Sequence, residues 1–146
     1  MTMPVIERAL PSDAGEIEAL LKSSGLPLEG VREHLPRFYV ARESGALAGV
    51  IGIESYGTEG LLRSLAVRPS SRSRGIGSSL YLRLIADARS SGIRRLVLLT
   101  TTAEGWFAGR GFVPVDRETV TGAMRTSAEF TGACPDSAVC MELELQ

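Results

Sequence analysis

A glycine-containing turn between an apolar strand and a long amphipathic helix constrains the fold most strongly. The apolar run Leu61–Val67 predicts a strand that Pro69 stops, and a loop rich in Ser and Arg follows it. From Ile76 the apolar residues recur at a spacing of four, which predicts a helix that Gly92 closes. The apolar run 96–99 then predicts a strand that is buried on both faces and parallel to the first.

The segments on either side predict five further strands and three further helices. Asp13 and Glu16 have the spacing of a capping box, which predicts a helix that opens after Pro11 and stops at Gly25. In chain order the predicted segments are a strand over 5–10, this helix, a short helix over 31–35, strands over 38–41 and 47–55 joined by a turn at 43–45, a short helix over 103–108, a strand from 112, an irregular stretch over 117–137 and a strand over 139–145. Together they predict an α/β or α+β sheet with helices on its faces, and the length of 146 residues predicts one domain, 1–146.

Composition and charge argue against several classes of protein. The formal net charge of -1 argues against a nucleic-acid partner, and no apolar run reaches the roughly 18 residues of a membrane span. The charged first residues are unlike a signal peptide, so we expect no membrane partner and a cytoplasmic location. Two cysteines and one histidine are too few for a disulfide framework or a structural zinc site, so we expect no metal.

The near-neutral total conceals a cationic middle. Residues 63–95 hold eight arginines against the single Asp87, while the two flanking segments each carry a net charge of -4. This stretch contains the turn, where backbone N–H groups at a helix start bind phosphate and glycine allows close approach. Arg72 and Arg74 add positive charge there. We therefore expect a ligand with several phosphate charges at the turn.

Two common phosphate-binding designs fit this turn poorly. A P-loop needs a lysine after its second glycine, but Ser78 follows Gly77 and no lysine stands beyond Lys22. A dinucleotide-binding turn needs a third glycine, where Leu80 stands, and an acidic residue after the next strand, where Thr100–Thr102 stand. The turn follows neither pattern.

The turn and the elements around it instead resemble the GNAT acetyltransferase superfamily. The resemblance is carried, in the superfamily's order, by Leu65–Pro69, the pyrophosphate-loop pattern Arg72-x-x-Gly75-x-Gly77, Leu98–Thr100 and Phe107-x-x-x-Gly111-Phe112. It implies acetyl-CoA as cosubstrate and a small-molecule amine as acceptor. It also implies a GNAT-type mixed, mostly antiparallel sheet with central parallel splayed strands and helices on both faces, and it allows a homodimer through the C-terminal strands.

A narrower resemblance is to the bacterial and archaeal GNAT proteins known as arsenic-resistance N-acetyltransferases. It rests on Gly52-x-Glu54 with Tyr56-Gly57, Leu61–Val67, Leu98–Ala103, Ser127–Phe130 and Cys134-Pro135-x-Ser137-Ala138. It implies arsenic or antimetabolite resistance, with an acidic amino-acid-like toxin as acceptor. A second hypothesis is a GNAT-like sensor or partner module that binds acyl-CoA without catalysis. A third is arsenite binding through Cys134 and Cys140, whose alternative is a role as small core side chains.

The wider resemblance assigns the cosubstrate residue by residue. It places the thioester carbonyl near the backbone of Leu65, Ala66 and Val67, the pantetheine arm beside Thr100, and the pyrophosphate on Arg72, Ser73, Arg74, Gly75, Ile76, Gly77 and Ser78. Phe107 stands where the superfamily often has a tyrosine as general acid, so it packs in the core or against the cosubstrate. Either the thiolate leaves unaided or Tyr56 replaces that acid.

Acetyl transfer to an amine needs a base that takes the amine proton, and two glutamates are candidates. Glu54 is the first, because it is the one acidic residue at the end of the apolar run 49–53. Burial there would raise its pKa toward neutrality; the alternative is an exposed polar residue at a strand end. Glu129 is the second candidate, and its alternative is a surface loop residue.

Arg63 and Ser64 are the candidate substrate-binding residues. Strand alternation predicts that they point to opposite faces. An arginine within this apolar run needs an anionic partner, because an unpaired buried guanidinium is costly. That partner is either a substrate carboxylate or oxyanion, or the carboxylate of Glu54 or Glu129.

Overall fold

A computed structural model describes residues 4–145, and the two ends of the predicted domain lie outside this range. Within this range seven strands form one sheet: β1 (Val5–Arg8), β2 (Phe38–Glu43), β3 (Ala46–Tyr56), β4 (Glu59–Val67), β5 (Arg95–Thr100), β6 (Val113–Pro114) and β7 (Val139–Glu144). Their order across the sheet is β1-β2-β3-β4-β5-β7-β6. Neighbours pair antiparallel except β4 and β5, which are parallel. The mixed, mostly antiparallel sheet is therefore confirmed.

In the part of the chain that the structure describes, four α-helices accompany the sheet: α1 (Ala14–Ser23), α2 (Val31–His34), α3 (Ile76–Ser90) and α4 (Glu104–Ala108). Single helical turns cover residues 11–13, 35–37, 69–71, 117–119, 122–126 and 129–133. The long helix α3 is confirmed, and its buried stripe consists of Ile76, Leu80, Tyr81, Leu84, Ile85 and Ala88. The stretch 117–137 contains three of the single turns, because no regular apolar repeat extends across it.

Strand β2 shows how the helices cover the sheet. Its residues Tyr39 and Ala41 pack in the cluster that contains α3. The alternate residues Phe38 and Val40 pack in the cluster that contains α1 and α2. Because successive strand residues point to opposite faces, helices lie on both faces of the sheet, as the resemblance implied.

Strands β4 and β5 pair over only three positions before they separate. Glu59, Gly60 and Leu61 lie opposite Arg95, Leu96 and Val97 in parallel register. Further along, β4 stays paired with β3 and β5 stays paired with β7, but no pair joins β4 to β5 in the described chain. The splayed strands that the resemblance implied are therefore present, and they open the sheet near its centre.

An extra residue interrupts the alternation of β4 close to this opening. Val50 lies opposite Ala66 and Gly52 opposite Arg63, so three steps along β4 match two along β3. Ser64 takes a φ of +63° in this bulge. The prediction that Arg63 and Ser64 point to opposite faces is wrong, because the bulge breaks the period of two and Arg63 Nε donates to Ser64 Oγ at 3.0 Å.

Asp13 caps a different turn from the one that its spacing predicted. Its carboxylate accepts a hydrogen bond from the backbone N–H of Leu10 at 2.7 Å and is paired with Arg42. No side-chain hydrogen bond caps the start of α1, so the predicted box with Glu16 is wrong. The preceding strand accordingly ends at Arg8, two residues earlier than predicted.

The hairpin of β2 and β3 is longer than predicted. Ser44 and Gly45, at φ +51° and +82°, form a two-residue turn that lets pairing continue to Glu43 and Ala46. The predicted strand from Phe112 is only the two-residue β6.

Within the described part of the chain, none of the helices has the length and apolar character that a membrane span needs.

Candidate active site

Two pockets meet where β4 and β5 separate. The larger, of about 600 Å³, extends toward the turn at 72–77, and the smaller, of about 310 Å³, lies between residues 25–29 and 129–138. Both pockets are lined by Leu26, Arg63, Ser64, Leu99, Thr100 and Thr102. The candidate substrate-binding residues Arg63 and Ser64 therefore lie at the junction of the two pockets.

The larger pocket brings together the residues assigned to the thioester and the pantetheine arm. Its lining includes Leu65, Ala66, Val67, Thr100 and Phe107. The Phe107 ring packs edge-on against Trp106 and Phe112, with centroids 5.0 and 5.4 Å apart, and is almost wholly buried. Phe107 therefore belongs to the core and to the pocket wall. Trp106 also lines the pocket, a contact that the sequence pattern did not assign to the cosubstrate.

A third hollow, of about 260 Å³, lies at the start of α3. Its lining includes six of the seven residues assigned to pyrophosphate: Arg72, Ser73, Gly75, Ile76, Gly77 and Ser78. Gly75, at φ +78°, precedes the first turn of α3, whose leading N–H groups have no acceptor within the helix. Arg74, the seventh residue, does not line this hollow, because its guanidinium pairs with Glu43 at 3.0 Å.

Glu43 binds three polar side chains behind the turn. Its carboxylate accepts a hydrogen bond from Ser71 Oγ at 2.5 Å and lies 3.0 and 3.3 Å from the guanidinium groups of Arg74 and Arg68. The Ser71 hydrogen bond and the two arginines hold its pKa below the usual value. Sequence reasoning missed this role, because Glu43 ends β2 and reaches the cationic turn only through the fold.

Glu54 is buried in an ion pair behind the pocket junction. Its Oε2 accepts from Arg63 Nη1 at 2.8 Å, and its Oε1 accepts from the Tyr56 hydroxyl and lies 3.5 Å from His34 Nε2. Burial alone would raise the pKa of Glu54, but hydrogen bonds from Tyr56, Arg63 and Ser127 outweigh it and hold that pKa below its usual value. The predicted upward shift is wrong, and so is the alternative of an exposed residue.

Arg63 finds its anionic partners within the chain. Its side chain is fully buried, and it lies 2.8 Å from Glu54 and 3.4 Å from Glu129. This outcome matches the ion-pair alternative stated from the sequence. Tyr56 lines neither of the two joined pockets, and burial together with its hydrogen bond to Glu54 raises the pKa of its hydroxyl.

Glu129 lines the smaller pocket and is 3% exposed. It is therefore not the surface residue of the second alternative. Burial raises the pKa of its carboxyl to about 7. The negative charges of Glu54 and Glu29 add to this rise, and the positive charge of Arg63 opposes it. A carboxyl that is half-ionised near neutral pH and faces a pocket has the properties of a general base.

The two cysteines occupy different places. Cys140 is buried in β7 and packs with Leu61 and Val97, so it is a small core side chain. Cys134 lines the smaller pocket, where burial and the charge of Glu129 raise the pKa of its thiol to about 12. Across residues 4–145, no three His, Cys, Asp or Glu side chains are grouped to hold a metal ion.

The fold and the site define an acetyltransferase-type architecture, in which a glycine-containing turn at the start of a helix leads into a cleft between two splayed parallel strands. Residues 8–112 match the family described as the Acetyltransferase (GNAT) family. The chain therefore belongs to the GNAT family.

Amino-acid acetyltransferases are among the relatives. The enzyme of Salmonella typhi is 34% identical over 122 residues, which cover 77% of this chain, and that of Escherichia coli strain K12 is 32% identical over 120 residues, which cover 76%. The chain spans only 28% and 27% of the length of these two relatives.

Solved structures with this fold include complexes with coenzyme A. N-acetylglutamate synthase from Neisseria gonorrhoeae, complexed with coenzyme A and N-acetyl-glutamate, matches with a TM-score of 0.84 and 26% identity over 100% of this chain and 36% of its own. Rv2747 from Mycobacterium tuberculosis, in complex with CoA, matches with a TM-score of 0.82 and 27% identity over 98% of this chain and 100% of its own. Both matches therefore extend over the whole or nearly the whole of this chain.

Proposed function

We propose that this protein is an acetyl-CoA-dependent N-acetyltransferase whose acceptor is the α-amine of a small amino acid. One observation carries the proposal: the pocket that leads from the phosphate-binding turn meets the pocket that contains Glu129 at Arg63 and Ser64. Two reactants held in adjoining pockets react at a much lower entropic cost than two in solution. The names of the relatives support an amino acid as the acceptor.

The residues of the larger pocket fit a CoA thioester. The free N–H groups at the start of α3 and the Arg72 guanidinium suit pyrophosphate charge, and the side chains of Val67 and Trp106 give the adjoining wall an apolar surface for the pantetheine arm. Acetyl-CoA, when bound, supplies an activated acyl group.

The backbone of β4 offers donors for the charge that develops on the thioester oxygen. Beyond Leu61 the strand has no pair with β5, so N–H groups on that side lack a sheet partner. They face the opening that the larger pocket fills, which Leu65 and Ala66 also line. Fixed N–H donors in such a position stabilise an oxyanion.

Glu129 is the base in this proposal. Its carboxylate takes one proton from the acceptor ammonium at the pocket junction, which leaves a neutral amine as the nucleophile. After attack on the thioester carbonyl, the nitrogen loses its second proton as the C–S bond breaks, and the departing thiolate takes this proton. The Tyr56 hydroxyl donates its proton in a hydrogen bond to Glu54, and the Phe107 side chain has no acidic proton. These contacts favour departure of the sulfur as a thiolate, which an ordinary thiol pKa of roughly 8.5 permits.

The narrower acceptor, an acidic amino-acid-like toxin in arsenic or antimetabolite resistance, rests on the sequence resemblance alone. Arg63 is already paired with Glu54 and Glu129, and Glu29 adds negative charge to the wall of the smaller pocket. An acidic acceptor must therefore draw Arg63 away from Glu129, whereas a neutral one need not. Both kinds of acceptor belong in the assay.

Release of free thiol from acetyl-CoA tests the proposal with a panel of acidic and neutral amino acids and acidic amino-acid analogues. We expect turnover with at least one of them, and Glu129→Gln should lower kcat about 100-fold or more while coenzyme A affinity by calorimetry stays the same. Glu118→Gln, at an exposed position, is the matched control and should retain wild-type rates. Strong turnover of polyamines or protein N-termini instead would refute the amino-acid acceptor.

The acyl-CoA-binding module is the second candidate, and the phenylalanine at position 107 favours it. It predicts coenzyme A binding with no thiol release for any amine, and unchanged behaviour of Glu129→Gln. Absence of coenzyme A binding at millimolar concentration would refute both candidates.

A further inference from the structure

Glu54 lies outside the two joined pockets, yet Arg63 links it to Glu129. The Arg63 guanidinium lies between the two carboxylates, 2.8 Å from Glu54 and 3.4 Å from Glu129. The side chains of all three residues are between 0% and 4% exposed. A buried charge is costly unless it is paired, so the three groups form one electrostatic unit.

The Arg63 side chain donates hydrogen bonds to three neighbours, and Glu129 is not one of them. Nη1 donates to Glu54 at 2.8 Å, Nη2 donates to the Pro27 carbonyl at 3.4 Å, and Nε donates to Ser64 Oγ at 3.0 Å. Nε carries a single hydrogen, and this nitrogen is also the one that lies 3.4 Å from Glu129. Glu129 therefore interacts with the positive charge of Arg63 but accepts no hydrogen bond from it, because Nε donates its hydrogen to Ser64.

We propose that Glu54 is a positioning residue for the acceptor-side base: it anchors Arg63 and so keeps the Glu129 carboxylate free to take a proton from the acceptor amine. This role rests on the proposed function, in which Glu129 is that base. Tyr56 donates to Oε1 of Glu54, the oxygen that does not accept from Arg63, and so holds the Glu54 carboxylate in place. Without the anchor, Arg63 would turn its donors to Glu129 and make it a weaker base.

The charged and titratable groups around Glu129 come from four elements. Arg63 lies on β4, Glu54 on β3, Glu29 between α1 and α2, and Cys134 on the same segment as Glu129. Burial raises the pKa of Glu129, the charge of Arg63 lowers it, and the charge of Glu54 raises it. Loss of the Glu54 charge and loss of the Arg63 charge should therefore change the basicity of Glu129 in opposite directions.

Titration of Glu129 by carbon-13 NMR of glutamate-labelled protein tests this role. The Glu129 signal is assigned by its absence from Glu129→Gln. We expect Glu54→Gln to move its midpoint down by about one pH unit and Arg63→Gln to move it up. Glu59→Gln is the matched control, since it removes a carboxylate from another ion pair of the sheet, with Arg95, and should leave the midpoint in place.

A kinetic measurement accompanies the titration. Glu54→Gln should lower kcat at pH 8 about threefold to tenfold and move the acid limb of the pH profile with the NMR midpoint, while KM for acetyl-CoA stays the same. If Glu54→Gln does not fold, Glu54→Asp takes its place, because the shorter carboxylate loosens Arg63 and should give a smaller downward shift.

An unchanged or raised Glu129 midpoint in the Glu54 variant would overturn the proposal. The titration requires no turnover, so it remains decisive even if Glu129→Gln proves fully active. In that case the base assignment fails, and the electrostatic coupling is still measured separately.

Discussion

Arg110 stacks on Trp106, with its guanidinium carbon 3.3 Å from the centroid of the indole ring. The same side chain donates from Nη2 to Ser78 Oγ at 2.9 Å. Trp106 lines both the larger pocket and the hollow at the start of α3. Arg110 therefore ties the chain after α4 to the first turn of α3, across the proposed path of the cosubstrate.

Replacement of Arg110 by alanine should weaken coenzyme A binding. A cation–π contact and one hydrogen bond are each worth about 0.5–1.5 kcal/mol, and part of that stabilisation holds the Trp106 wall in place. We expect the Kd measured by calorimetry to rise about threefold to tenfold. Arg89→Ala, on the exposed part of α3, is the control. Equal affinities in the two variants would show that Trp106 needs no support.

Glu43 should affect cosubstrate binding without touching the acceptor side. In Glu43→Gln the charge that holds Arg68 and Arg74 is lost, and the Ser71 hydrogen bond that depends on it is weakened. We expect KM for acetyl-CoA to rise severalfold with kcat unchanged, because no residue of the turn lines the pocket junction where the acceptor is proposed to react. Steady-state kinetics with Glu16→Gln as an exposed control measures the effect. A fall in kcat alone would contradict it.

The strand, turn, long helix and parallel strand were predictable because each depends on residues that are adjacent in sequence. The apolar repeat of α3 and the glycine at position 75 act locally, and the structure confirms both. The residues assigned to the thioester and to most of the pyrophosphate site followed from the resemblance, and they line the larger pocket and the adjoining hollow.

The features that were missed depend on contacts between distant segments. The bulge at Ser64 arises from the register of β4 against β3, which strand alternation alone does not reveal. Arg74 faces away from the hollow because Glu43 reaches it from another strand. The pKa of Glu54 is lowered by hydrogen bonds from Tyr56, Arg63 and Ser127, and the last two come from distant segments; burial without these partners would have raised that pKa.

Gly52 should be indispensable for the packing of β3 beside the bulge. A Cβ atom at this position would lie 2.4 Å from ring carbons of Phe38, which is fully buried. Overpacking of this kind costs about 1–3 kcal/mol, so Gly52→Ala should lower the free energy of unfolding by that amount in urea denaturation. Gly15→Ala is the contrasting variant, because open space surrounds that position in α1 and alanine should add about 0.5–1 kcal/mol. If Gly52→Ala and the wild type had equal free energies of unfolding, the Phe38 ring would have to move aside at no cost.

Glu129 should make the stability of the protein fall as pH rises from about 4.5 to about 7. Its pKa is about 7 in the folded protein against 4.5 for the ordinary side chain, so the folded state holds the proton more tightly. The stabilisation from this proton is complete below pH 4.5 and is lost as pH rises to about 7, an effect on the order of 3 kcal/mol. Glutamine is neutral at every pH, so the stability of Glu129→Gln relative to wild type should rise across this window and then level off. Urea denaturation of both proteins between pH 4 and 8, which are about the limits set by the two pKa values, measures the difference. A difference that stays constant with pH would mean that the Glu129 carboxyl is solvated in the folded protein, and the case for it as a base tuned to neutrality would fail with it.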